Sequence, residues 1–274
     1  MKIAIQGYAG CFHEIAARNY FGTDIEPVPC STFAELINRV RKNEVDHGIM
    51  AIENSIAGSI LPNYSLLQKS GLYVNGETYL HIRQHLMGLP GQTMDDIREV
   101  HSHPMALLQC MDFLSRHPRF RLVETEDTAL SAKLVRQKRM KHTAAIAGKL
   151  AADLFNLEIL AANIHTEKKN YTRFLALSRE EKRVKEKEPN KSSIYFHTSN
   201  TLGSLAAVLT RIAEEGINLS KLQSFPIPGS EWKYYFHADM EFSALEQFEK
   251  VVRKISPLTA SLKILGIYKK GKTI

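Results

Sequence analysis

Short apolar segments alternate with amphipathic helical patterns through the first two thirds of this 274-residue chain. Strands that alternate with helices in this way predict an α/β domain with largely parallel sheets. Such sheets bind ligands beyond the carboxyl ends of their strands, so functional residues are expected just after each strand. The segments that predict strands are 2–6, 48–52, 99–101, 121–124 and 144–146, and each is followed by a helical pattern, the first over 12–20.

A charged segment, SREEKRVKEKEPNK at 178–191, separates this part of the chain from a shorter second part. It has almost no large apolar residues and contains Pro189, which predicts a linker. The second part reads strand, helix, strand, strand, helix, strand, an order typical of a ferredoxin-like βαββαβ domain. Its first helix is supported by a stripe at i, i+3, i+4 and i+7, formed by Leu205, Val208, Leu209 and Ile212.

The composition, 44% hydrophobic and 24% charged, is ordinary for a soluble globular protein. The three cysteines, Cys11, Cys30 and Cys110, are odd in number and widely spaced, which argues against a disulfide framework or a zinc site and fits a reducing cytoplasm. The first residues, MKIAIQG, contain too short an apolar run for a signal peptide. No apolar run approaches the ~18 residues of a membrane-spanning helix. We expect a cytoplasmic protein with no membrane partner.

The formal net charge is +7, from 36 Lys and Arg against 29 Asp and Glu. The densest basic cluster, at 133–141, ends a predicted helix, where cations complement the helix dipole. No aromatic residues interleave with it, as they do in single-strand nucleic-acid binders. The sequence therefore disfavours a nucleic-acid partner, and its mild positive charge suits an enzyme that attracts small dianions.

Small polar residues follow four of the predicted strands of the first part. Any one of them is explained as an ordinary helix cap. Four at the same edge of a sheet exceed what capping requires, and several helix N-termini meeting at one cleft would attract an anion. The residues are Gly7 with Gly10, Glu53-Asn54-Ser55 with Gly58, Ser102-His103-Pro104, and Asp127-Thr128.

The segment from Ser102 to His117 predicts one helix with a core stripe at Leu107, Cys110, Met111 and Leu114. Gln109 lies roughly opposite that stripe, and helical spacing points Ser102 the same way. Two uncharged hydrogen-bonding side chains on that face indicate a lined cleft.

Other kinds of site are weaker. His101 and His103 have the spacing of a metal pair along a strand, but no clear third ligand is near. Cys11 lies at a helix start, where a thiolate would be stabilised, but no His-and-acid arrangement accompanies it. A packing role for Cys11 is the stronger interpretation.

Thr172 and Arg173 enter a short apolar run, Phe174 to Leu177, that predicts a strand buried on both faces. An arginine there needs a partner or a purpose, because a guanidinium is almost never buried unpaired. The alternative is an edge position with Arg173 in water.

Six segments, in chain order, resemble prephenate dehydratase: GYAGCFHEIAA, AIENSIAGSI, VHSHPMALLQC, EDTALSA, AAIAGKLAA and NYTRFLAL. The sequence that starts at Lys191, KSSIYFHTSNTLGSLAAVLTRIAEEGINLSKLQSFP, is similar to the ACT domain of that family. The resemblance implies a two-lobed catalytic domain like type II periplasmic binding proteins, with substrate between the lobes. The implied bounds are 1–179 for the catalytic domain (lobes at roughly 1–75 with 160–179, and at 76–159), 180–190 for the linker and 191–274 for the ACT domain.

The resemblance also implies roles for single residues. Thr172 matches the main catalytic residue of a Thr-Arg-Phe motif, with Arg173 as a carboxylate anchor. The reaction removes water and carbon dioxide from prephenate to give phenylpyruvate and needs no metal or organic cofactor. Threonine is too weakly acidic to be a matched general acid, so we expect Thr172 to donate a hydrogen bond to the departing hydroxyl. A proton would come from water or Glu53, and the other cleft residues implied are Asn54, Ser55, Ser102, Gln109 and Thr128, with Asn170 behind them.

For the ACT domain the resemblance implies L-phenylalanine as effector and a homodimer or homotetramer. The effector would contact Gly203, Ser204 and Leu205 at a helix start, and Asn218 and Leu219 from a neighbouring chain. The chain departs from the family where Cys11 and His13 replace Thr and Ser, and where Met105 replaces Gln. The motif usually written Glu-Ser-Arg-Pro reads Gln-Ser-Phe-Pro at 223–226.

Two other functions stay open. One is arogenate dehydratase, with the same chemistry on a side chain that bears an amino group instead of a keto group. The other is a catalytically inactive module that senses an aromatic metabolite, which the intact Thr172 and Arg173 disfavour.

Overall fold

The structure, a computed structural model, describes residues 1–181, 189–199, 201–227, 229 and 233–272. The chain divides into two compact units, Met1–Ile60 with Thr78–Phe174, and Leu61–Glu77 with Leu175–Lys272. Residues 182–188, most of the predicted linker, lie outside the described residues. The domain and lobe boundaries expected from the sequence stay predictions.

Strands and helices alternate up to Ser178, and the predicted α/β class is confirmed. The strands β2, β4, β5, β6 and β10 and the helix α2 are additions that the sequence did not predict. In chain order the elements are β1 (Lys2–Gln6), α1 (Phe12–Phe21), β2 (Glu26–Cys30), α2 (Phe33–Arg41), β3 (His47–Asn54), β4 (Gly58–Ser59), α3 (Leu61–Ser70), β5 (Tyr73–His81), β6 (His85–Gly88), β7 (Glu99–Ser102), α4 (Pro104–Gln109), α5 (Met111–Leu114), β8 (Arg121–Glu124), α6 (Thr128–Gln137), β9 (Thr143–Ala147), α7 (Lys149–Phe155), β10 (Glu158–Ala161) and β11 (Tyr171–Ser178).

Two sheets carry these strands. The first has the order β2-β1-β3-β11-β5, with β4 paired to β3, and the second has the order β10-β6-β9-β7-β8. Pairing is parallel between β1 and both β2 and β3, and between β7 and both β8 and β9. The carboxyl ends of the parallel strands therefore lie at one edge of each sheet, where ligands of such sheets bind.

The helix predicted after Ser102 is interrupted. Ser102 ends β7, and Cys110, at φ −110° and ψ 12°, separates α4 from α5. Leu107, Cys110 and Leu114 are buried as predicted, but Met111 is 41% exposed. The expectation that Ser102 and Gln109 share a helical face is wrong, because Ser102 belongs to a strand.

The strand β11 is an interior strand between β3 and β5, and Arg173 within it is only 5% exposed. The alternative of an edge arginine in water is therefore wrong. Phe174 to Leu177 are buried, as the apolar run predicts.

The second unit has the predicted order βαββαβ after the linker. Its four-stranded antiparallel sheet has the order β13-β14-β12-β15, and Ile194, Phe196, Val208 and Phe248 are among the side chains of its core. None of the described helices in either unit is both long and apolar enough to cross a membrane. The elements are β12 (Lys191–His197), α8 (Ser204–Glu214), β13 (Asn218–Pro226), β14 (Tyr234–Glu241), α9 (Leu245–Ile255) and β15 (Ser261–Tyr268).

A buried ion pair holds the first strand of this sheet. Lys191 Nζ lies 3.0 Å and 3.1 Å from the two carboxylate oxygens of Glu77, and the two side chains are 1% and 0% exposed. The backbone N–H of Gly271 also donates to Glu77. A buried charge is tolerated only with such partners, so each of the two residues depends on the other.

We predict that Lys191→Met lowers the free energy of unfolding by about 3–5 kcal/mol, because it leaves the Glu77 carboxylate buried without its cation. Urea denaturation measures the loss. Arg211→Met, which removes an exposed pair with Glu214 on α8, is the control and should cost less than about 1 kcal/mol. The double variant Lys191→Met with Glu77→Leu should recover much of the loss, and a single variant as stable as the control would contradict the prediction.

Candidate active site

One cavity of about 450 Å³ lies in the first unit, lined from the carboxyl-end edges of both sheets. Thr172 and Phe174 reach it from β11, two positions apart and so on the same face of that strand. A cavity of this volume suits a small molecule. Its polar lining residues are Gln6, Cys11, His13, Asn54, Gln84, His103, Gln109, Glu126, Asp127, Thr128 and Thr172.

The hydroxyl of Thr172 accepts a hydrogen bond and has its own proton to give. Asn54 Nδ2 donates to Thr172 Oγ1 at 2.9 Å. The Thr172 hydroxyl donates to no residue in the described part of the chain. Because the side chain is 8% exposed and lines the cavity, its O–H is available to a molecule bound there.

The orientation of the Asn54 amide is fixed by the backbone. Its oxygen accepts from the N–H groups of Ile56 at 3.0 Å and Ala57 at 2.9 Å. A flipped amide would turn its NH₂ group toward two N–H donors, so the amide nitrogen must face Thr172. The backbone N–H groups of Ile56 and Ala57 thus orient Asn54 so that Thr172 accepts a hydrogen bond from it.

The same amide starts a second chain of hydrogen bonds. Asn54 Nδ2 donates to Asn170 Oδ1 at 2.8 Å, and Asn170 Nδ2 donates to Gln109 Oε1 at 3.0 Å. Asn170 is fully buried, so it supports the network from behind. With its oxygen occupied, Gln109 presents its NH₂ group, which donates to no described residue, and Gln109 lines the cavity.

Ser55 joins two segments of backbone. Its N–H donates to Tyr171 O at 2.8 Å, its hydroxyl donates to Lys169 O at 3.0 Å and accepts from Tyr171 N at 2.9 Å. These contacts fix the start of β11, one residue before Thr172.

Several expected site residues do not line this cavity within the described structure: Glu53, Ser55, Ser102, Asn170 and Arg173. Ser102 is fully buried, and its hydroxyl donates to Ile146 O at 2.7 Å. Arg173 lies between Thr172 and Phe174 in β11, and neighbouring strand residues point to opposite faces. The cavity brings together Thr172, Asn54, Gln109 and Thr128.

Cys11, the N-cap of α1, and His13, in the first turn of that helix, are both uncharged. Burial raises the pKa of the Cys11 thiol to about 12, and its Sγ lies 3.4 Å from Gln6 O. Burial lowers the pKa of His13 to about 3, and His13 Nε2 accepts from Ala51 N at 3.4 Å. The burial and the raised pKa argue against a stabilised thiolate at Cys11 and favour a packing role.

The histidine pair expected as a metal alternative is used otherwise. His101 Nε2 lies 2.9 Å from Glu99 Oε2, and His103 Nδ1 accepts from Met105 N at 3.2 Å. Within the described ranges no group of three or more His, Cys, Asp or Glu side chains is arranged to hold a metal ion.

A family model described as prephenate dehydratase matches residues 3–182. The chain belongs to the prephenate dehydratase family. A relative from Arabidopsis thaliana, arogenate dehydratase/prephenate dehydratase 1, chloroplastic, is 34% identical over 283 residues and is covered over 72% of its length by 98% of this chain.

Solved structures agree with this fold. Prephenate dehydratase from Arthrobacter aurescens, in complex with L-Phe, is 25% identical with a TM-score of 0.89, covering 98% of this chain and 90% of that one. A structure described as GqqA, a novel type of quorum quenching acylases, is 31% identical with a TM-score of 0.89, covering 98% of each chain.

The sequence did not indicate three of the polar residues that line the cavity of this prephenate dehydratase family member, Gln6, Gln84 and Glu126. Gln84 lies immediately before β6, and the sequence did not predict that strand. Glu126 accepts from the Tyr8 hydroxyl, a partner 118 positions away in the chain. Asp127, expected only as a cap, does cap α6 by accepting from Leu130 N at 2.9 Å, and it also lines the cavity.

We predict a stability that falls as pH drops from about 6.5, the ordinary pKa of histidine, toward 3. In that window His13 binds a proton in the unfolded chain but not in the folded protein. The free energy of unfolding therefore decreases as the pH falls. His13→Phe removes the titrating group and keeps an aromatic ring between Phe33 and Phe174. The free energy of unfolding of this variant should depend on pH less steeply, because up to one proton fewer is taken up on unfolding.

Urea denaturation at several pH values measures these slopes. His142→Asn is the control for loss of an imidazole elsewhere, since Asn tolerates the left-handed backbone of that residue (φ 63°). Equal slopes for wild type and His13→Phe between pH 4 and 6 would contradict the prediction.

Proposed function

We propose that this chain catalyses the decarboxylating dehydration of prephenate to phenylpyruvate, water and carbon dioxide, with Thr172 assisting departure of the ring hydroxyl. The observation that carries the proposal is the bond from Asn54 Nδ2 to Thr172 Oγ1. Because Asn54 occupies an acceptor site on Thr172, the threonine proton points to the cavity. A donor at that position stabilises an oxygen on which negative charge develops.

The reaction asks little of the protein beyond binding and this hydrogen bond. Loss of water and carbon dioxide makes the ring aromatic, which supplies the driving force. Asn170 occupies the side-chain oxygen of Gln109, so the NH₂ group of Gln109 is proposed as a second donor to substrate. Thr128 is proposed as a third polar contact. Asn54 and Asn170 are positioning residues, since they act through Thr172 and Gln109.

The remaining assigned roles stay predictions. The Arg173 carboxylate anchor and proton delivery by Glu53 gain no support from the cavity lining. Ser55 and Ser102 are proposed to shape the site through the backbone groups that they hold.

We predict that Thr172→Ala lowers kcat by about 10²–10³, the usual cost of one transition-state hydrogen bond. Thr172→Ser keeps the hydroxyl and should retain part of the rate. Phenylpyruvate, followed by its absorbance in base, measures turnover. KM should change little, because the bond matters most as charge develops.

Asn54→Asp tests the orientation argument. A carboxylate offers no N–H to Thr172, so the threonine would donate to it and lose its catalytic direction. This variant should approach the rate of Thr172→Ala, while Ser131→Ala, a buried hydroxyl on α6 outside the cavity, serves as a control for stability. An alanine variant at Thr172 within a few fold of wild type would overturn its role, and a folded wild type without product would favour the inactive binding module.

The similarity to a structure described as an acylase raises acyl transfer as a second reaction. Such chemistry needs a nucleophile activated by a base. The raised pKa of Cys11 keeps it a thiol, and Thr172 receives a hydrogen bond from an amide instead of giving one to a base. The cavity does not favour acyl transfer.

Two further parts of the proposal concern the whole chain. The separate sheets of the first unit support a two-lobed catalytic domain over 1–179, with lobes at roughly 1–75 plus 160–179 and at 76–159. We also propose that the protein works in the cytoplasm.

We propose that residues 191–274 form an ACT domain that binds L-phenylalanine. The strand order β13-β14-β12-β15 with two helices supports it. Gly203 caps α8 in a left-handed conformation (φ 78°) that favours glycine, and among the described residues beyond its chain neighbours none lies within 4 Å of a Cβ placed there. A ligand carboxylate can therefore approach the free N–H groups of the helix start.

The two halves of the expected effector site lie far apart within one chain. His197, which ends β12 shortly before Gly203, pairs with Tyr235, whereas Asn218 pairs with Glu241. Six residues along β14 separate these partners, about 20 Å of strand. One amino acid cannot span that distance, so the proposal requires Asn218 and Leu219 from a second chain, and with it a homodimer or homotetramer.

The changed motif at 223–226 has a structural counterpart. Phe225 is 4% exposed and stacks on Tyr235 with ring centroids 5.0 Å apart, and Tyr64 lies 5.5 Å away. Within β13, the packing of Phe225 takes the place of the charge pair of the usual motif.

We predict that calorimetry detects L-phenylalanine binding by wild type and weaker binding by Gly203→Ala. Gly216→Ala is the matched control, since Gly216 (φ 70°) ends the same helix and a side chain there strains the backbone equally. Binding that both variants retain would place the effector elsewhere. Sedimentation of the same samples tests the oligomer, and a monomer that binds phenylalanine would refute the shared site.

A further inference from the structure

His13 lines the cavity and is one of the residues at which the chain departs from its family, whose pattern usually has serine there. It lies in the first turn of α1, and its ring packs against Phe33 and Phe174, with ring centroids 5.4 Å and 5.1 Å away. The contact with Phe174 is edge-on, at an interplanar angle of 88°. Because two aromatic side chains hold it, the imidazole has a defined orientation.

The position of the ring proton of His13 is set by β3. Its Nε2 accepts the N–H of Ala51 at 3.4 Å, so the proton of the neutral imidazole is on Nδ1. Burial lowers the pKa of His13 to about 3, and the ring is therefore uncharged at neutral pH. A serine hydroxyl at this position could donate or accept a hydrogen bond, whereas this imidazole can only donate one.

The Nδ1–H group of His13 has no acceptor among the described residues, and it is not enclosed by protein. The buried side-chain nitrogens and oxygens that lack a partner in the described structure belong to other residues. The His13 side chain is half-buried, and it lines the cavity. Nδ1 therefore has accessible surface, and its N–H is available to a molecule bound in the cavity.

A dianion in this cavity has to be held by neutral donors. No lysine or arginine lines the cavity in the described part of the chain, and the charged side chains that do so there are the carboxylates Glu126 and Asp127. Thr172 and Gln109 each present a neutral donor. The Nδ1–H group of His13 is a third.

The strand β11 separates His13 from Thr172 by a distance that suits the proposed substrate. Thr172 and Phe174 lie two residues apart on one face of β11, about 7 Å along the strand, and His13 packs against Phe174. In prephenate, the ring hydroxyl and the carbon that bears the side chain are at opposite corners of the ring. With its hydroxyl at Thr172, a ring lying along β11 brings its side chain to His13.

The reaction distinguishes the two carboxylates of prephenate. The ring carboxylate leaves as carbon dioxide, when the electron pair of its C–C bond moves into the ring and hydroxide departs from the opposite carbon. A donor that is hydrogen-bonded to this carboxylate stabilises its negative charge and so opposes its loss. The side-chain carboxylate keeps its charge from substrate to product, and a fixed donor can bind it throughout without slowing the reaction.

We infer that the Nδ1–H group of His13 donates a hydrogen bond to the side-chain carboxylate of the substrate and binds substrate and product alike. The inference rests on the proposed function and names a further contact of the same site. Thr172 acts at the departing hydroxyl, and His13 binds the end of the molecule that does not react. Loss of this N–H group should therefore raise KM and leave kcat nearly unchanged.

A matched pair of variants isolates the N–H group. His13→Leu and His13→Asn both lose the ring and have side chains of similar size, but only asparagine has an N–H group to donate. For His13→Leu we expect KM for prephenate to rise roughly 10- to 100-fold, the usual size of a hydrogen bond to a charged group. His13→Asn should recover much of that affinity. His13→Phe keeps the ring packing without the donor, and it gives the same measurement should His13→Leu fail to fold.

Inhibition by phenylpyruvate tests which carboxylate His13 binds. The product has lost the ring carboxylate and the ring hydroxyl and keeps the side chain. Its inhibition constant should therefore rise in His13→Leu by about the same factor as KM does. Thr172→Ala should change that constant far less, because the product has no hydroxyl for Thr172 to contact.

The outcomes separate this inference from the proposed function. Turnover by wild type with the same KM in all three His13 variants would overturn the inference and keep the function. A raised KM with unchanged product inhibition would also overturn it, because His13 would then contact a group that the reaction removes. A lower kcat with unchanged KM would place His13 at the reacting atoms, against the inference. No turnover of prephenate by folded wild type would overturn the proposed function itself, and this inference with it.

Discussion

The candidate site depends on the direction of one amide. The N–H groups of Ile56 and Ala57 fix the Asn54 oxygen, and every other polarity follows from that choice. Asn54 donates hydrogen bonds to Thr172 and Asn170, and Asn170 donates one to Gln109. The hydroxyl of Thr172 and the NH₂ group of Gln109 therefore remain as donors toward the cavity. A buried network of this kind specifies one arrangement because any reversed member leaves a group unsatisfied.

Under the proposed function, this network accounts for how a threonine could assist the departure of a hydroxyl group. The proposed donor is a neutral hydroxyl and not an acidic side chain whose pKa has been adjusted to transfer a proton. In the proposed reaction the protein places a neutral donor where negative charge would develop and holds that donor there by backbone groups, a form of electrostatic preorganisation. Buried neighbours such as Asn170 then matter through the direction that they impose and not through contact with substrate.

The sign of the charged side chains that line the cavity is opposite to the net charge of the chain. The chain has a net charge of +7, yet the charged side chains lining the cavity in its described part are carboxylates, Glu126 and Asp127. Net charge steers ligands from a distance, whereas selection in the cavity follows the few groups within reach.

Local patterns in the sequence determined much of the fold. The strands β1 and β8 have the bounds that the apolar segments predict, and the alternation with helices predicted the α/β class, since periodicity reports burial directly. The role expected for Thr172 came instead from the resemblance of six ordered segments to the prephenate dehydratase family.

Only the tertiary structure decided which residues reach the cavity. Ser102 and Arg173 were expected there, but a strand assignment and the alternation of side chains along β11 direct them elsewhere. Gln84 and Glu126 were missed because their significance arises from neighbours far away in the chain, Tyr8 in the case of Glu126. Periodicity predicts whether a side chain is buried, while its partner and the atom it leaves unpaired depend on contacts made only when distant segments meet.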